Sequence, residues 1–473
     1  MPSSVSDSVS GRVVIVGGGL AGIAAATALA EADLQVTLLE SRPQLGGRAT
    51  SYIDKASGET IDNCQHVSMG CCTNLRDLCE RLQVADAFQT ESELYFIAPN
   101  GECCSFSADP LPAPFHLTRA FLKLSYLSLR EKVLFASAVR ALAQARPEKL
   151  LGSNFADWLR THRQTDRLIQ NVWEVVLVSA LSESLDRIDA AYARKVFVDG
   201  FLSHADSWKV EIPRIDLDEL YSQRTRAALA AKGVDVRVQT RATGLTYEDE
   251  RVAQVSLHNG DPLIADDVIL AVPQHQLSAL LPSSPKLDSL RQQVSQLETA
   301  PITSVHLWYD RPLTALPHAV LVGRLSQWMF NRGQRTLNGE SAHYYQVVIS
   351  ASRQLREWSQ EDAIAAVAAE LRAVWPSHRV PKLLHSRMIT ERRAVFSVTP
   401  GIDALRPVQQ TGIENLQIAG DYTQTGWPAT MEGAVISGYL AAENVPRRLG
   451  RPLQIVRPGL PFAGLSRWCL GLK

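Results

Sequence analysis

The segment Arg12–Gly22, RVVIVGGGLAG, constrains the fold of this chain more than any other. Val13, Val14, Ile15 and Val16 form a short continuous apolar run, the pattern of a parallel strand buried on both faces. Gly17, Gly19 and Gly22 then fill a G-x-G-x-x-G frame. The first glycine permits a tight turn, the second lets backbone approach a pyrophosphate, and the third lets a helix pack close to the strand. The residues that follow, IAAATALAEA, are strong helix formers. Strand, glycine turn and helix in that order predict an α/β fold whose helix aims free N–H groups and its positive dipole end at phosphates. A second strand, LQVTLLE, runs from Leu34 to Glu40, and Glu40 stands 18 residues after Gly22. An acid at that place accepts hydrogen bonds from ribose hydroxyls. A dinucleotide is therefore expected on Gly17, Gly18, Gly19, Leu20, Ala21 and Gly22, with Glu40 and Ser41 at its ribose.

Directly after Glu40 comes SRPQLGGRATSY, a second glycine turn that carries a cation. A simple nicotinamide dehydrogenase has no need of it. A cofactor with a second bulky ring system, bound extended, does. Near the other end, NLQIAGDYTQTGWPATMEGAVISGYLAA spans Asn415 to Ala442. It reads as a short buried strand over Leu416–Ala419, a turn at Gly420 and Asp421, and a helix starting near Ala429 to Met431. Together these segments resemble the flavoprotein superfamily of amine oxidases, protoporphyrinogen oxidases and carotenoid desaturases. The resemblance implies FAD. It implies that Arg48, of Gly46-Gly47-Arg48, sits beside the FAD pyrophosphate. It implies that Asp421 bonds the ribityl or pyrophosphate portion. The helix start at Ala429–Met431 would face the flavin N1 and O2 edge, where a helix dipole stabilises the reduced anion. The residue matching Val236 would touch the adenine through its backbone.

The chain has 473 residues, 45% hydrophobic and 21% charged, which suffices for two domains with a large core. A net charge of −1 argues against a nucleic-acid partner. The seven cysteines, at 64, 71, 72, 79, 103, 104 and 469, are odd in number and form no C-x-x-C pair. No metal site is expected, and reduced thiols fit a cytoplasmic setting. Residues 1–10 are polar, without the apolar core of a signal peptide, and read as a flexible lead-in. No run reaches the roughly 18 to 20 apolar residues of a spanning helix.

The FAD-binding domain is expected to be discontinuous, Rossmann-like, and built from residues 11–70, 213–275 and 400–445. The intervening residues 75–205 and 284–395 would form an inserted α+β substrate domain. Leu75 to Leu202 reads as largely helical. Ser284 to Arg393 alternates, with strands at TSVHLWYD, HAVLVG, QWMFNR and AHYYQVVIS and a helix at EDAIAAVAAELRAVW. An antiparallel sheet flanked by helices follows. Residues 111–142 are apolar with Arg and Lys interleaved. They read either as a buried helix pair or as a patch that dips into a bilayer and admits a lipid. The tail, 446–473, carries Phe462, Trp468 and Leu470 beside cations, and either joins that patch or packs on the body.

Three segments bear on the substrate: IDNCQHVSMGCC after the second glycine turn, the tryptophan-led stretch Asn171–Phe201, and QWMFNR. They resemble the squalene-associated, hydroxysqualene dehydroxylase branch of the desaturase family, and the resemblance runs from Arg12 to Asn444. Cys64 stands where that branch has glycine, and SALSES (Ser179–Ser184) departs from its pattern. The resemblance implies a hydrophobic isoprenoid substrate, peripheral association with the inner face of a membrane, and replacement of an allylic hydroxyl by hydrogen. Such chemistry needs a proton donor, a dry apolar tunnel and hydride geometry. His66 is the candidate donor, with Gln65 and Asp62 as orienting partners; the alternative is that His66 only bonds the flavin or a backbone carbonyl. Trp427 either stacks over a carbocation or packs. The electron donor is unreadable. A carotenoid-type desaturase, an amine oxidase and a non-enzymatic isoprenoid carrier stay open as alternatives.

Overall fold

The computed structural model describes residues 11–337 and 339–472; the expected lead-in at 1–10 lies outside the described residues. A five-stranded parallel sheet organises one half. Its order is Asp235–Arg237, Gln35–Leu39, Arg12–Val16, Asp267–Leu270, Leu416–Ile418. The first strand is central, with Val13 beside Val36 on one side and Asp267 on the other. Its inner neighbours come from distant parts of the chain and are apolar runs that must be covered on both faces, whereas Asp235–Arg237 at the edge is half exposed. Helices Leu20–Ala30 and Met431–Arg448 pack together on the sheet, through Ala21, Ala24, Ala25 and Ala28 against Val435, Tyr439, Ala441 and Ala442. Small side chains let the two helix backbones come close.

A seven-stranded sheet forms the other half, ordered Leu383–Phe396, Thr299–Tyr309, Glu340–Ser350, Trp328–Leu337, His318–Leu321, Glu93–Ile97, Cys103–Ser107. Its neighbours are antiparallel except His318–Leu321 with Glu93–Ile97, which run parallel. The sheet is thus the expected antiparallel one, with a single parallel pair added. The hairpin Glu93–Ser107, turned at Pro99-Asn100-Gly101, lies within a stretch read as helical, and it supplies the last two strands. Its alternating side chains have the two-residue period of a strand. The helix Gln360–Val374 covers the sheet, with Val367 and Leu371 fully buried against it.

The apolar stretch 111–142 holds a loop and two helices, and these are only partly buried. Residues 108–117 form an irregular loop, followed by a short helix Thr118–Lys123 and a longer one, Leu129–Gln144. Three prolines between 110 and 114 prevent a helix before Thr118. Ser128 starts the longer helix with a capping box: its hydroxyl accepts from the Glu131 N–H, and the Glu131 carboxylate accepts from the Ser128 N–H at 2.8 Å. Leu111, Phe115, Leu122, Leu129 and Val133 stay exposed here, while Leu124, Tyr126 and Leu142 are buried. The stretch thus divides into an apolar surface and a core face.

Candidate active site

The first glycine turn must adopt a backbone that other residues resist. Gly17 has φ +113°, and a Cβ there would lie 2.4 Å from the Ala271 carbonyl oxygen. A Cβ on Gly22 would lie 1.9 Å from the Gly17 oxygen. These clashes fix the strand-to-helix turn as a glycine turn. The helix Leu20–Ala30 begins at Gly19 with no capping side chain and no acid in its first turn. Its first N–H groups therefore remain available to an anion. The second turn docks on the first, with Gly46 N–H donating to Gly18 O at 2.8 Å.

These turns form one end of a single large cavity of about 1620 Å³. Sites for one small ligand run about 300–1,000 Å³, so this one has room for a cofactor and a second bulky molecule. Gly17, Gly19, Leu20, Ala21, Glu40 and Ser41 line it, as do Gly46, Gly47 and Arg48. Gly420, Asp421, Ala429 and Met431 line it from the opposite end of the sequence. Gly18 and Gly22 stand behind the wall. Glu40 is buried; one carboxylate oxygen accepts from Gly18 N–H at 2.8 Å and the other from Arg42 N–H at 2.8 Å. Arg48 and Asp421 meet at 2.6 Å, and Arg48 also donates to Ala394 O at 2.7 Å. The helix Met431–Arg448 is capped by Thr430, whose hydroxyl accepts from Gly433 N–H, and its first turn faces the cavity.

Val236 does not line the cavity. Its strand, Asp235–Arg237, is the outer strand of the sheet and pairs on one side only, with Gln35–Leu39. Thr240, Arg241 and Ala242, just beyond that strand, reach the cavity instead. Nothing in the sequence pattern distinguishes those positions from an ordinary loop.

Gln65, His66 and Trp427 line the cavity, whereas Asp62 does not. Asp62 is buried and accepts from Ser51 Oγ at 2.7 Å, Leu217 N–H at 2.9 Å and Arg332 at 3.2 Å. Arg332 also donates to Gln65 Oε1 at 2.7 Å. Burial raises the Asp62 carboxyl pKa, against the pull of Arg332. Asp62 and Gln65 thus do not orient the His66 ring, which corrects that expectation. Asp62 needs a cation because it is taken out of water, and Arg332 answers it.

The His66 ring instead makes a 3.0 Å hydrogen bond from Nδ1 to the Cys64 carbonyl oxygen. A carbonyl only accepts, so Nδ1 carries a proton, and Nε2 is an acceptor when the ring is neutral. Burial lowers the His66 pKa, and Arg48 lowers it further. A neutral imidazole with that tautomer accepts a proton more readily than it gives one. The Cys64 thiol is pushed up to about 12 by burial. Trp427 has a face already occupied, by the Lys195 ammonium at 4.4 Å from the ring centroid. That face has no room for a substrate cation.

Away from the glycine turns the wall is apolar, with Phe96, Phe106, Phe121, Leu124 and Val172 among its side chains. Phe115 and Trp468 line it as well, yet both are largely exposed, so the cavity reaches the apolar surface at 111–133. Trp468 lies on the helix Gly464–Leu470, which packs through Leu470 against Ala143 and Val198.

Residues 20–446 match the model of the family described as flavin containing amine oxidoreductase. The chain belongs to that family. It is an FAD-dependent oxidoreductase, and the uncapped glycine turn, buried Glu40 and paired Arg48–Asp421 are residues of the kind that such a cofactor requires. The chain is similar to 15-cis-phytoene desaturase of Solanum lycopersicum, 28% identical over 92% of this chain and 77% of that one. It is similar to hydroxysqualene dehydroxylase of Zymomonas mobilis, 26% identical over 91% of this chain and 97% of that one. Among solved structures it resembles an oxidoreductase from Methanosarcina mazei (TM-score 0.69, 16% identity, 90% of this chain, 98% of that one). It also resembles cyclohexylamine oxidase from Brevibacterium oxydans (TM-score 0.66, 16% identity, 93% and 100%). These structural likenesses speak to the fold.

Proposed function

We propose that this enzyme reductively removes the allylic hydroxyl of hydroxysqualene to give squalene, working at a membrane surface. The observation that carries the reading is the junction of two segments far apart in sequence. Arg332, from the QWMFNR strand, bonds both Gln65 and Asp62 of the IDNCQH segment. Residues of two of the segments by which the chain resembles the hydroxysqualene branch therefore form one buried cluster, which reaches the cavity wall through Gln65. The apolar cavity adds support, since a hydrocarbon chain can lie there without stranding polar groups.

Reduced FAD, when bound, supplies a hydride to carbon. In the proposed reaction the substrate C–O bond breaks, its oxygen leaves with an added proton as water, and the allylic carbon gains the hydride. The protein's residues have three tasks. Gly17–Gly22, Glu40, Arg48 and Asp421 hold the cofactor, the apolar wall excludes water, and one donor at the wall provides the proton.

The exposed Leu111, Phe115, Leu122, Leu129, Val133 and Trp468 would enter the headgroup region, with Arg119, Lys123 and Arg130 at the same surface. No helix among the described residues is long and apolar enough to cross a membrane. A second reading, a desaturase acting on a polyene precursor, draws on His66. A neutral acceptor at the cavity wall suits removal of a proton from carbon.

An anaerobic assay separates the two. Photoreduced enzyme should be reoxidised by hydroxysqualene with formation of squalene, and oxidised enzyme should stay oxidised with phytoene. Flavin reduction by phytoene, with a longer polyene as product, would replace the first reading by the second.

A further inference from the structure

Resting on the dehydroxylase reading, we propose that Lys195, held by Asp199 and Trp427, binds the substrate's hydroxyl oxygen and gives it the proton with which it leaves. The proposal begins from a shortage. Removal of hydroxide from carbon at neutral pH needs a donor at the cavity wall. His66 has spent its Nδ1–H on the Cys64 carbonyl, and in the neutral ring that burial favours its Nε2 only accepts. Glu432 is spent as well: its carboxylate accepts from Asn74 N–H, Asn74 Nδ2 and Leu75 N–H, at 2.7 to 3.0 Å.

Lys195 and Asp199 both line the cavity. They sit one turn apart, on the helix Ala190–Phe197 and the π-helical turn Val198–Leu202 that continues it. Such widened turns are frequent at functional sites. The Lys195 Nζ lies 2.7 Å from the Asp199 carboxylate and 4.4 Å from the centre of the Trp427 ring. An ammonium has three N–H donors. Asp199 takes one and the ring face takes a second, so a third is left for a ligand.

Trp427 precedes the Ala429–Met431 turn, and that turn opens the helix Met431–Arg448 whose first residues line the cavity. Glu432, in the first turn of this helix, lines the same cavity as Lys195. The ammonium therefore stands at the cofactor end of the apolar wing, where the reacting carbon must lie. Charge in an otherwise apolar wall discriminates between an alcohol and a hydrocarbon, because only the alcohol can satisfy the third N–H. The balance is complete. The Lys195 N–H bond breaks, an O–H bond forms and water departs. The carbon takes the hydride from reduced FAD, and solvent protons restore the ammonium.

The test uses holoenzyme carrying Lys195→Met or Lys195→Arg. With oxidised enzyme, where no reaction occurs, binding of hydroxysqualene and of squalene is read from the flavin absorbance band. Wild type should bind the alcohol more tightly, by about tenfold or more. Lys195→Met should bind both equally, with squalene affinity unchanged. With photoreduced enzyme, squalene formation should slow about 10²–10⁴-fold in Lys195→Met. Lys195→Arg should recover the preference for the alcohol and not the rate, because guanidinium binds oxygen and does not release its proton. Wild-type preference and rate in Lys195→Met would overturn the proposal while leaving the dehydroxylase reading in place. Should Lys195→Met fail to hold FAD, Lys195→Arg decides: wild-type rate there overturns proton donation by Lys195. Failure of wild type itself to convert hydroxysqualene removes the reading and this proposal together.

Discussion

At the end of its strand, Glu40 fixes the glycine turn through Gly18 N–H and the next loop through Arg42 N–H, before any ribose arrives. Replacing Glu40 with Ala removes these anchors along with its proposed bonds to the ribose. FAD affinity should fall by about 1.5–3 kcal/mol, or roughly 10- to 150-fold, in a titration of apoprotein. Unchanged affinity would take Glu40 out of the site. Arg332 is a different case, because it answers a buried charge. Arg332→Met strands the Asp62 carboxylate away from water and should cost about 3–5 kcal/mol in urea unfolding. A loss below about 1 kcal/mol would mean that Asp62 finds water or another cation. Glu40 was readable from its place after a strand and a glycine turn. Lys195 was not. A Lys and an Asp four residues apart on a helix look like a surface pair, and only the arrival of Trp427, 232 residues later, turns the pair into a cavity wall.

Among the elements, the parallel sheet was legible because its strands are short β-branched runs next to glycine turns. Observed and expected strands differ there by a residue or a few at each end. The strand Leu383–Phe396 escaped the sequence reading. It carries Glu391, Arg392 and Arg393, lies at the sheet edge against Thr299–Tyr309, and is half exposed, so its alternation is blurred. The apolar stretch 111–142 was legible in composition and not in shape, since the same residues serve core and surface. Leu129 and Val133 lie one turn apart on the exposed face of their helix. The proposed membrane contact predicts that Leu129→Glu with Val133→Glu lowers sedimentation with anionic vesicles at least about tenfold. Burying each such side chain is worth about 1.5–3 kcal/mol. Undiminished sedimentation would assign this face to some other role.

Across the whole molecule, buried histidines couple folding to pH. Burial lowers His306 to about 3 and His116 to about 4, and lowers His66 and His318 as well. The folded chain refuses protons that the unfolded chain takes up below about pH 6.5. Their contribution is thus complete above pH 6.5 and is lost as pH falls toward the folded values, at about 1.4 kcal/mol per pH unit for each histidine. Unfolding free energy should drop between pH 6.5 and 5, and His306→Asn should flatten that slope by one proton. An unaltered slope in the variant would mean that His306 is protonated in the fold. In the proposed function, the cavity between the two sheets is where hydride moves to the isoprenoid and not from it. The direct measurement is the reaction of photoreduced enzyme with hydroxysqualene in D₂O without oxygen, where the flavin N5 position carries deuterium. The expected product is squalene with one carbon-bound deuterium, at the former carbinol carbon or its allylic partner. Squalene without deuterium, or no squalene while phytoene reduces the oxidised enzyme, would contradict it.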